Sequence, residues 1–332
     1  MTSIFGCTRA ALVLAALVSG GLAAGSPALA QSYPTRTISI VVPIGAGTGM
    51  DLLARMYGEQ LSQRLGKPVI VENRPGAGLT LAPSTVASAA PDGYTLMVAV
   101  TGTFATYPVL YKKLNYEPKD FTPIAMYVKS PFVLVVNPEL PVHSAAEFIK
   151  LAKNTTPPLT YSTPGAGTMQ HLAVEAMRRT FHFDMTQVPY RNTSQSVTDI
   201  VAGHVKSGVA EAGASVPLIK DGKLRALAVT STARLPTLPD VPPFAEAANA
   251  PGFEAVSWHA LVAPAGTPRE IVERLHTEMK QIMASPEINA QILKLGLIPF
   301  ATPTIPEMEA YIKSDQEKWG AIVRDLGLAG TQ

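Results

Sequence analysis

Apolar residues follow two rhythms along this chain. Short runs at 38–42 (ISIVV), 69–72 (VIVE), 95–100 (TLMVAV), 132–136 (FVLVV), 224–229 (LRALAV) and 258–262 (WHALV) are bounded by Pro, Gly, Asn and Asp, and predict buried β-strands. Between them apolar positions recur at helical spacing: Met50, Leu53, Tyr57, Leu61 and Leu65 in one stretch, Leu172, Met177 and Phe181 with Ala173 and Ala176 in another. Ser144 to Glu147, Thr267 to Glu270 and Thr304 to Glu307 each read as a capping box, with Pro268 at the first helical position of the second. From Thr267 onward the pattern is nearly all helical: Ile271–Ala284, a shorter piece after Ser285-Pro286-Glu287, and Glu307–Leu326. Alternation of this kind predicts an α/β protein of mostly parallel sheets with flanking helices.

The first thirty residues break the pattern. Arg9 precedes a short apolar core, Ala10 to Val18, and Ala28-Leu29-Ala30 offers small residues before Gln31. That is the form of a cleaved secretory leader, and its core is well short of the ~20 residues of a spanning helix. Removing it leaves 302 of the 332 residues, with 26 Lys and Arg against 25 Asp and Glu and no cysteine, since the single Cys7 lies in the leader. Near-neutral charge argues against a nucleic-acid partner, and a cysteine-free exported chain rests on its core rather than on disulfides. The length fits about two domains. The expectation is a soluble, exported, globular protein.

Candidate chemistry begins with a repeat. Gly-Ala-Gly-Thr occurs at 45–48 and again at 165–168, each time after an extended run and before an amphipathic helix; a third Gly-Ala-Gly occupies 76–78. Such turns expose backbone N–H groups at a helix N-terminus, where positive charge gathers. Thr48 and Thr168 could add hydroxyl donors, so two facing turns could grip both ends of a small dianion. A plainer reading, in which both are tight turns with helix caps, stays open.

Other chemistries fit less well. A P-loop ends in Gly-Lys-Ser/Thr, and neither turn contains a lysine. A dinucleotide site wants G-x-G-x-x-G, whereas Gly45-x-Gly47-x-Gly49 is followed by Met50, and export removes the chain from nicotinamide cofactors. The chain contains no G-x-S-x-G elbow and no H-E-x-x-H pair. No cofactor and no metal are expected. An exported α/β enzyme would need a perturbed general base beside the glycine turns, and a sensing or docking protein of the same shape is the other alternative.

The stretch "YPTRTISIVVPIGAGTGMDLLARMYGEQLSQRLGKPVIVENRPGAGLTLAPSTVASAAPDGYTLMVA" resembles the N-terminal signature of the Bug-type solute receptors of tripartite tricarboxylate transporters. "LYKKLNYEPKDFTPIA", "PFVLVVNPELPV", "YSTPGAGTMQHLAVE", "VPYRN" and "DGKLRALAVTSTARLPTLPDVPPFAEA" continue the likeness, so that it covers about 33–327. The resemblance implies a two-lobed periplasmic binding protein of the Venus-flytrap, type II-like kind: a signal peptide at 1–30, lobe 1 at 31–131 and 232–332, lobe 2 at 132–231. Its crossings would fall near Pro131–Val133 and Leu227–Ser231. It implies a monomer that closes on a small organic mono- or dicarboxylate and presents it to membrane permease subunits. Carried over by position, Ile44, Gly45, Gly47, Thr48, Gly49 and Asp51 would hold one carboxylate, and Ser162, Gly165, Gly167 and Thr168 the other. Thr101 and Thr103 would line lobe 1, and the Tyr190–Thr193 loop, with Tyr190 and Arg191, lobe 2. Three departures stand out. Thr101-Gly102-Thr103-Phe104-Ala105 replaces an Asn- and His-containing segment, Lys206 replaces an acid, and Ile44 sits in a shifted glycine register. Phe104 hints at an aromatic carboxylate.

Single residues also have readings of their own. Asp51 opens the first helix, where its carboxylate would cap free N–H groups; for a ligand bearing an ammonium group it would be the partner. His171 and Glu175 lie one turn apart and read as a helix-surface pair, since a third metal ligand is missing. Trp258 reads as core, and Arg74 and Lys206 as surface charges.

Overall fold

Residues 33–190 and 193–332 are described by the computed structural model. The leader at 1–30 and Arg191 lie outside the described residues. The chain divides into Met1–Thr35 and Arg36–Gln332, and every element below belongs to the second unit.

Two sheets form, each from strands distant in sequence. The first contains β1 (Ile38–Val42), β2 (Val69–Asn73), β3 (Thr95–Val100), β4 (Phe121–Ser130), β10 (Ser257–Pro264) and β11 (Ile298–Pro299), in the order β11-β4-β10-β3-β1-β2. The second contains β5 (Phe132–Val136), β6 (Leu159–Thr163), β7 (Met185–Pro189), β8 (Ser207–Glu211) and β9 (Arg225–Val229), in the order β7-β6-β8-β5-β9. The two orders match. β1 lies between its parallel partners β2 and β3, as β6 lies between β7 and β8. Each Gly-Ala-Gly-Thr turn therefore leaves the strand at which its sheet reverses winding direction, the place where open α/β sheets bind ligands.

The sheets are mixed, not mostly parallel as the alternation predicts. β10 runs antiparallel to β3 and β4, β11 to β4, and β5 to β8 and β9. Connectivity supplies the reason. A parallel neighbour needs a long crossover, but β4 and β5 are separated by Pro131 alone, so β5 enters the second sheet straight from the first and runs against the strand beside it. β10 returns to the first sheet only after the long segment 230–256 and lies antiparallel between β4 and β3.

The return crossing is later than the sequence boundary suggests. The Val229 N–H donates to the Pro242 carbonyl, Leu235 and Leu238 pack with Val133 and Val229, and Phe244 stacks near Phe181 and Phe253. Residues 235–244, expected with lobe 1, thus cover the second sheet, because their buried apolar side chains find their partners there.

Helix starts divide similarly. Thr304 and Glu307 form the reciprocal box, whereas Glu147 accepts from the His143 N–H instead of that of Ser144. Thr267 caps nothing: its hydroxyl donates to the Pro264 carbonyl, and Pro268 occupies the cap position before Arg269–Met283. Trp258 is core, as its size suggests; its indole N–H donates to Asp315 Oδ2 at 2.6 Å. No described helix is long and apolar enough to cross a membrane.

Candidate functional site

The two glycine turns are built alike, bond for bond. Thr48 and Thr168 are N-caps of the helices Gly49–Leu65 and Met169–Phe181. Each hydroxyl accepts from the N–H three residues on, of Asp51 or His171, and donates back to the carbonyl of Gly45 or Gly165. Gly47 and Gly167 take left-handed φ of 81° and 72°, which turns their N–H groups onto Asp51 Oδ2 at 2.8 Å and His171 Nδ1 at 3.0 Å. The hydroxyls and glycine N–H groups expected to donate to a ligand are thus engaged within the turns. The N–H groups of the first helical turn, at Met50, Met169 and Gln170, lie beyond those caps and have no acceptor within their own helices.

Between the sheets lies a cavity of about 30 Å³, room for little more than a water or two. One side brings Ile44, Met50, Leu79, Val100, Gly102, Tyr107, Ser257 and His259; the other brings Phe132, Pro164, Thr168, Met169, Gln170, Thr193 and Glu211. Four helices start at this cavity, namely Gly49–Leu65, Met169–Phe181, Thr193–Val201 and Ala212–Lys220. Their aligned peptide dipoles favour an anion there. The lobes are in contact: Thr106 Oγ1 donates to the Gly167 carbonyl at 2.7 Å, and a Cβ on Gly165 would lie 3.3 Å from Gly78 Cα. A wider groove of about 440 Å³ lies beside Glu175, Arg178 and Asp184, but these charges pair with one another.

Of the residues expected at the site, Ile44 and Thr168 line the cavity, and Gly49 opens its helix beside Met50. Gly47 is on an exposed loop tip and Gly45 is half-buried next to it, while Gly165 and Gly167 are buried at the contact between lobes. Thr101 accepts from the Trp258 N–H and Thr103 from that of Val100, so both brace the first sheet from behind. Ser162 sits 2.9 Å from Ser196 Oγ, inside lobe 2. Tyr190 donates to Asp199 and is absent from the lining, whereas Thr193, the first residue of the following helix, is present. Phe104 does not support an aromatic ligand: it packs on Phe121 and Trp258 in the first core.

Asp51 has the capping role. Gly47 N–H, Asn73 Nδ2 and Arg55 all donate to its buried carboxylate. Burial raises its pKa, but the bonds from Arg55, Gly47 and Asn73 outweigh that and hold it below 3.8. It therefore has no free face for a ligand ammonium. His171 and Glu175 pair at 3.7 Å, yet His171 is buried and not on the surface as expected. No group of metal-binding side chains occurs among the described residues.

Sequence reasoning missed Glu211 and His259, which face the cavity from opposite lobes. An acid after "SGVA" was the available signal. Burial pushes Glu211 up to about 7 and His259 down to about 4. The signs oppose. Glu211 folds at no penalty while neutral, so its contribution is full below the unfolded value and is lost as pH rises through about 7. His259 prefers its neutral form, so stability falls as pH drops from the unfolded value toward about 4. Glu211→Gln is therefore expected to gain stability over the parent by roughly 3 kcal/mol between about pH 5 and about pH 8. Urea unfolding at both pH values would measure it, and a constant difference would refute the assignment.

Two lobes of matched sheet order, closing on a small cavity ringed by helix N-termini, define a two-lobed solute-binding protein. The chain belongs to a family: residues 53–328 match the tripartite tricarboxylate transporter family receptor. It is 31% identical over 314 residues to Protein BugT of Bordetella pertussis, covering 94% of this chain and 95% of that one. An R. palustris protein solved with adipate aligns with a TM-score of 0.84 at 32% identity, covering 90% of this chain and 99% of that one. MatC from Rhodopseudomonas palustris, solved with bound malate, aligns with a TM-score of 0.79 at 30% identity over 88% and 100% of the two chains. The family is thus the Bug-type receptors that the sequence motifs resemble.

Proposed function

We propose that this chain is an exported receptor of the periplasm, cleaved after Ala30, which as a monomer captures a small organic carboxylate between its lobes and delivers it to membrane permease subunits. The observation that carries the reading is the convergence of four helix starts, from both lobes, on one cavity. Relatives solved with adipate and with malate support the ligand class. Lobe 1 is built on the first sheet and lobe 2 on the second. Opening about Pro131 and the chain just before Ser257 admits the acid, and closure aligns the N–H groups of Met50 with those of Met169 and Gln170 around its carboxylate. Ile44 and Thr168 flank it, with Gly45–Gly49 and Gly165–Gly167 shaping the walls. The ligand leaves unchanged, so binding proceeds without turnover, and the closed shape is what the permease recognises.

A thermal-shift screen of mono-, di- and tricarboxylates tests this. A bound acid at a hundred times its Kd should add about 2.7 kcal/mol to stability by mass action, with the ligand recovered intact by NMR. No shift with any acid, or chemical conversion of the acid, would reject the reading.

A further inference from the structure

Glu211 is the unusual member of a cavity that otherwise suits an anion. It ends β8, in register with Phe132 on β5, and is 8% exposed. It sits at the cap position of Ala212–Lys220, yet its side chain makes no capping bond, and burial alone accounts for its perturbed titration. Ser215 Oγ donates to its backbone carbonyl, but no described residue donates to or pairs with its carboxylate. No lysine or arginine is among the described residues that line the cavity; the other titratable groups there are His259 and Tyr107. His259 faces it from the other lobe, held neutral by burial, with a ring nitrogen that has no partner among the described residues. Much of the remaining lining is apolar: Ile44, Met50, Leu79, Val100, Phe132 and Met169.

A carboxylate drawn to the helix starts would share this small space with a second, unpaired carboxylate. Like charges in a low-dielectric cavity are strongly unfavourable unless a cation or a proton intervenes. The protein supplies no such group from its described lining. Asp51, the acid that the sequence offers for an ammonium group, is already fully engaged in lobe 1.

We infer that the ligand is an amino-carboxylate, whose carboxylate lies on the helix N–H groups while its ammonium group donates to Glu211. This rests on the receptor reading above and narrows its substrate class. An ammonium group brings both the missing charge and up to three donors, so closure would leave neither acid unpaired. A diacid would instead force Glu211 to take up a proton.

The test is isothermal titration of the mature chain with matched straight-chain acids: butyrate, succinate, γ-aminobutyrate and α-aminobutyrate, then pentanoate, glutarate and δ-aminovalerate. At least one amino acid should bind about tenfold or more tighter than the plain acid and the diacid of its length. Glu211→Gln should abolish that preference, with unfolding curves confirming that the variant is folded. Leaving the preference intact in Glu211→Gln would overturn the inference. So would tighter binding of succinate or glutarate with affinity rising as pH falls, the mark of a protonated Glu211 donating to the ligand. In that case the receptor reading survives; if no acid of any kind binds, both fail.

Discussion

Replacing Asp51 with alanine is expected to lower the unfolding free energy by roughly 2–3 kcal/mol, the range for buried hydrogen bonds to a charged group. The carboxylate is 1% exposed and ties three parts of lobe 1 together: the Gly47 N–H at 2.8 Å, Asn73 Nδ2 at 2.9 Å and Arg55 Nε at 3.1 Å. Asn73 also donates to the Ile44 carbonyl, so the wall of the cavity is held through the same group. Half-exposed Arg55 can regain water and contributes little to the loss; most of it comes from losing the bonds by which the buried carboxylate holds the Gly47 turn and Asn73. Binding of any stabilising acid should weaken by about tenfold or more, because the turn that aligns the Met50 N–H loses its anchor. Since the pKa of Asp51 is depressed in the folded state, its contribution is present above the unfolded value and lost as pH falls below it. Urea titration and calorimetric binding measure the two effects. Full stability with weakened binding would instead mark Asp51 as a ligand contact.

Gly167→Val should have the larger effect on binding, with affinity down by about a hundredfold or more. A Cβ at Gly167 would come within 2.2 Å of Leu110 Cδ2 and 3.4 Å of Tyr107 Cδ1, side chains contributed by the other lobe. The left-handed φ of 72° adds roughly 1–2 kcal/mol of backbone strain for any residue with a Cβ. The wedge holds the lobes apart, so X-ray scattering should show no compaction when acid is added. Leu110→Ala in the same chain should recover part of the affinity, since the two changes share one contact. Gly47→Val is the control. Its φ of 81° carries similar strain, but a Cβ there would meet nothing within 4 Å. Equal loss in both variants, or no recovery with Leu110→Ala, would show that strain and not the lobe contact is responsible.

The strands that could be read from the sequence are those with dense β-branched runs, such as ISIVV and FVLVV. β8 escaped because SGVAE carries Gly208 and Glu211, and only the structure shows why: a Cβ at Gly208 would lie 2.8 Å from both Ile200 and Ser162. β4 was hidden by Pro123 and Lys129. At the site, the repeated Gly-Ala-Gly-Thr marked both turns correctly in the chain, but letters alone do not show where an N–H or hydroxyl points. Thr48 and Thr168 donate inward, to the carbonyls of Gly45 and Gly165, and it is the next residues, Met50, Met169 and Gln170, whose N–H groups lack an acceptor within their helices. Phe104 looked like a substitution within the cleft because its neighbours in sequence are close to it; a short turn places its ring on Trp258 instead. The third Gly-Ala-Gly, left without a role, puts Gly78 against Gly165 and Leu79 in the lining.

One residue, Pro131, joins β4 to β5. A one-residue joint whose ring locks φ leaves no slack, so the halves it links cannot slide past one another at that point. Spacer residues inserted there would turn a gated clamp into two tethered pieces, whose chance of meeting falls as the tether lengthens. If the lobes close as proposed, capture efficiency is expected to fall with every residue added to this shortest stretch of the chain.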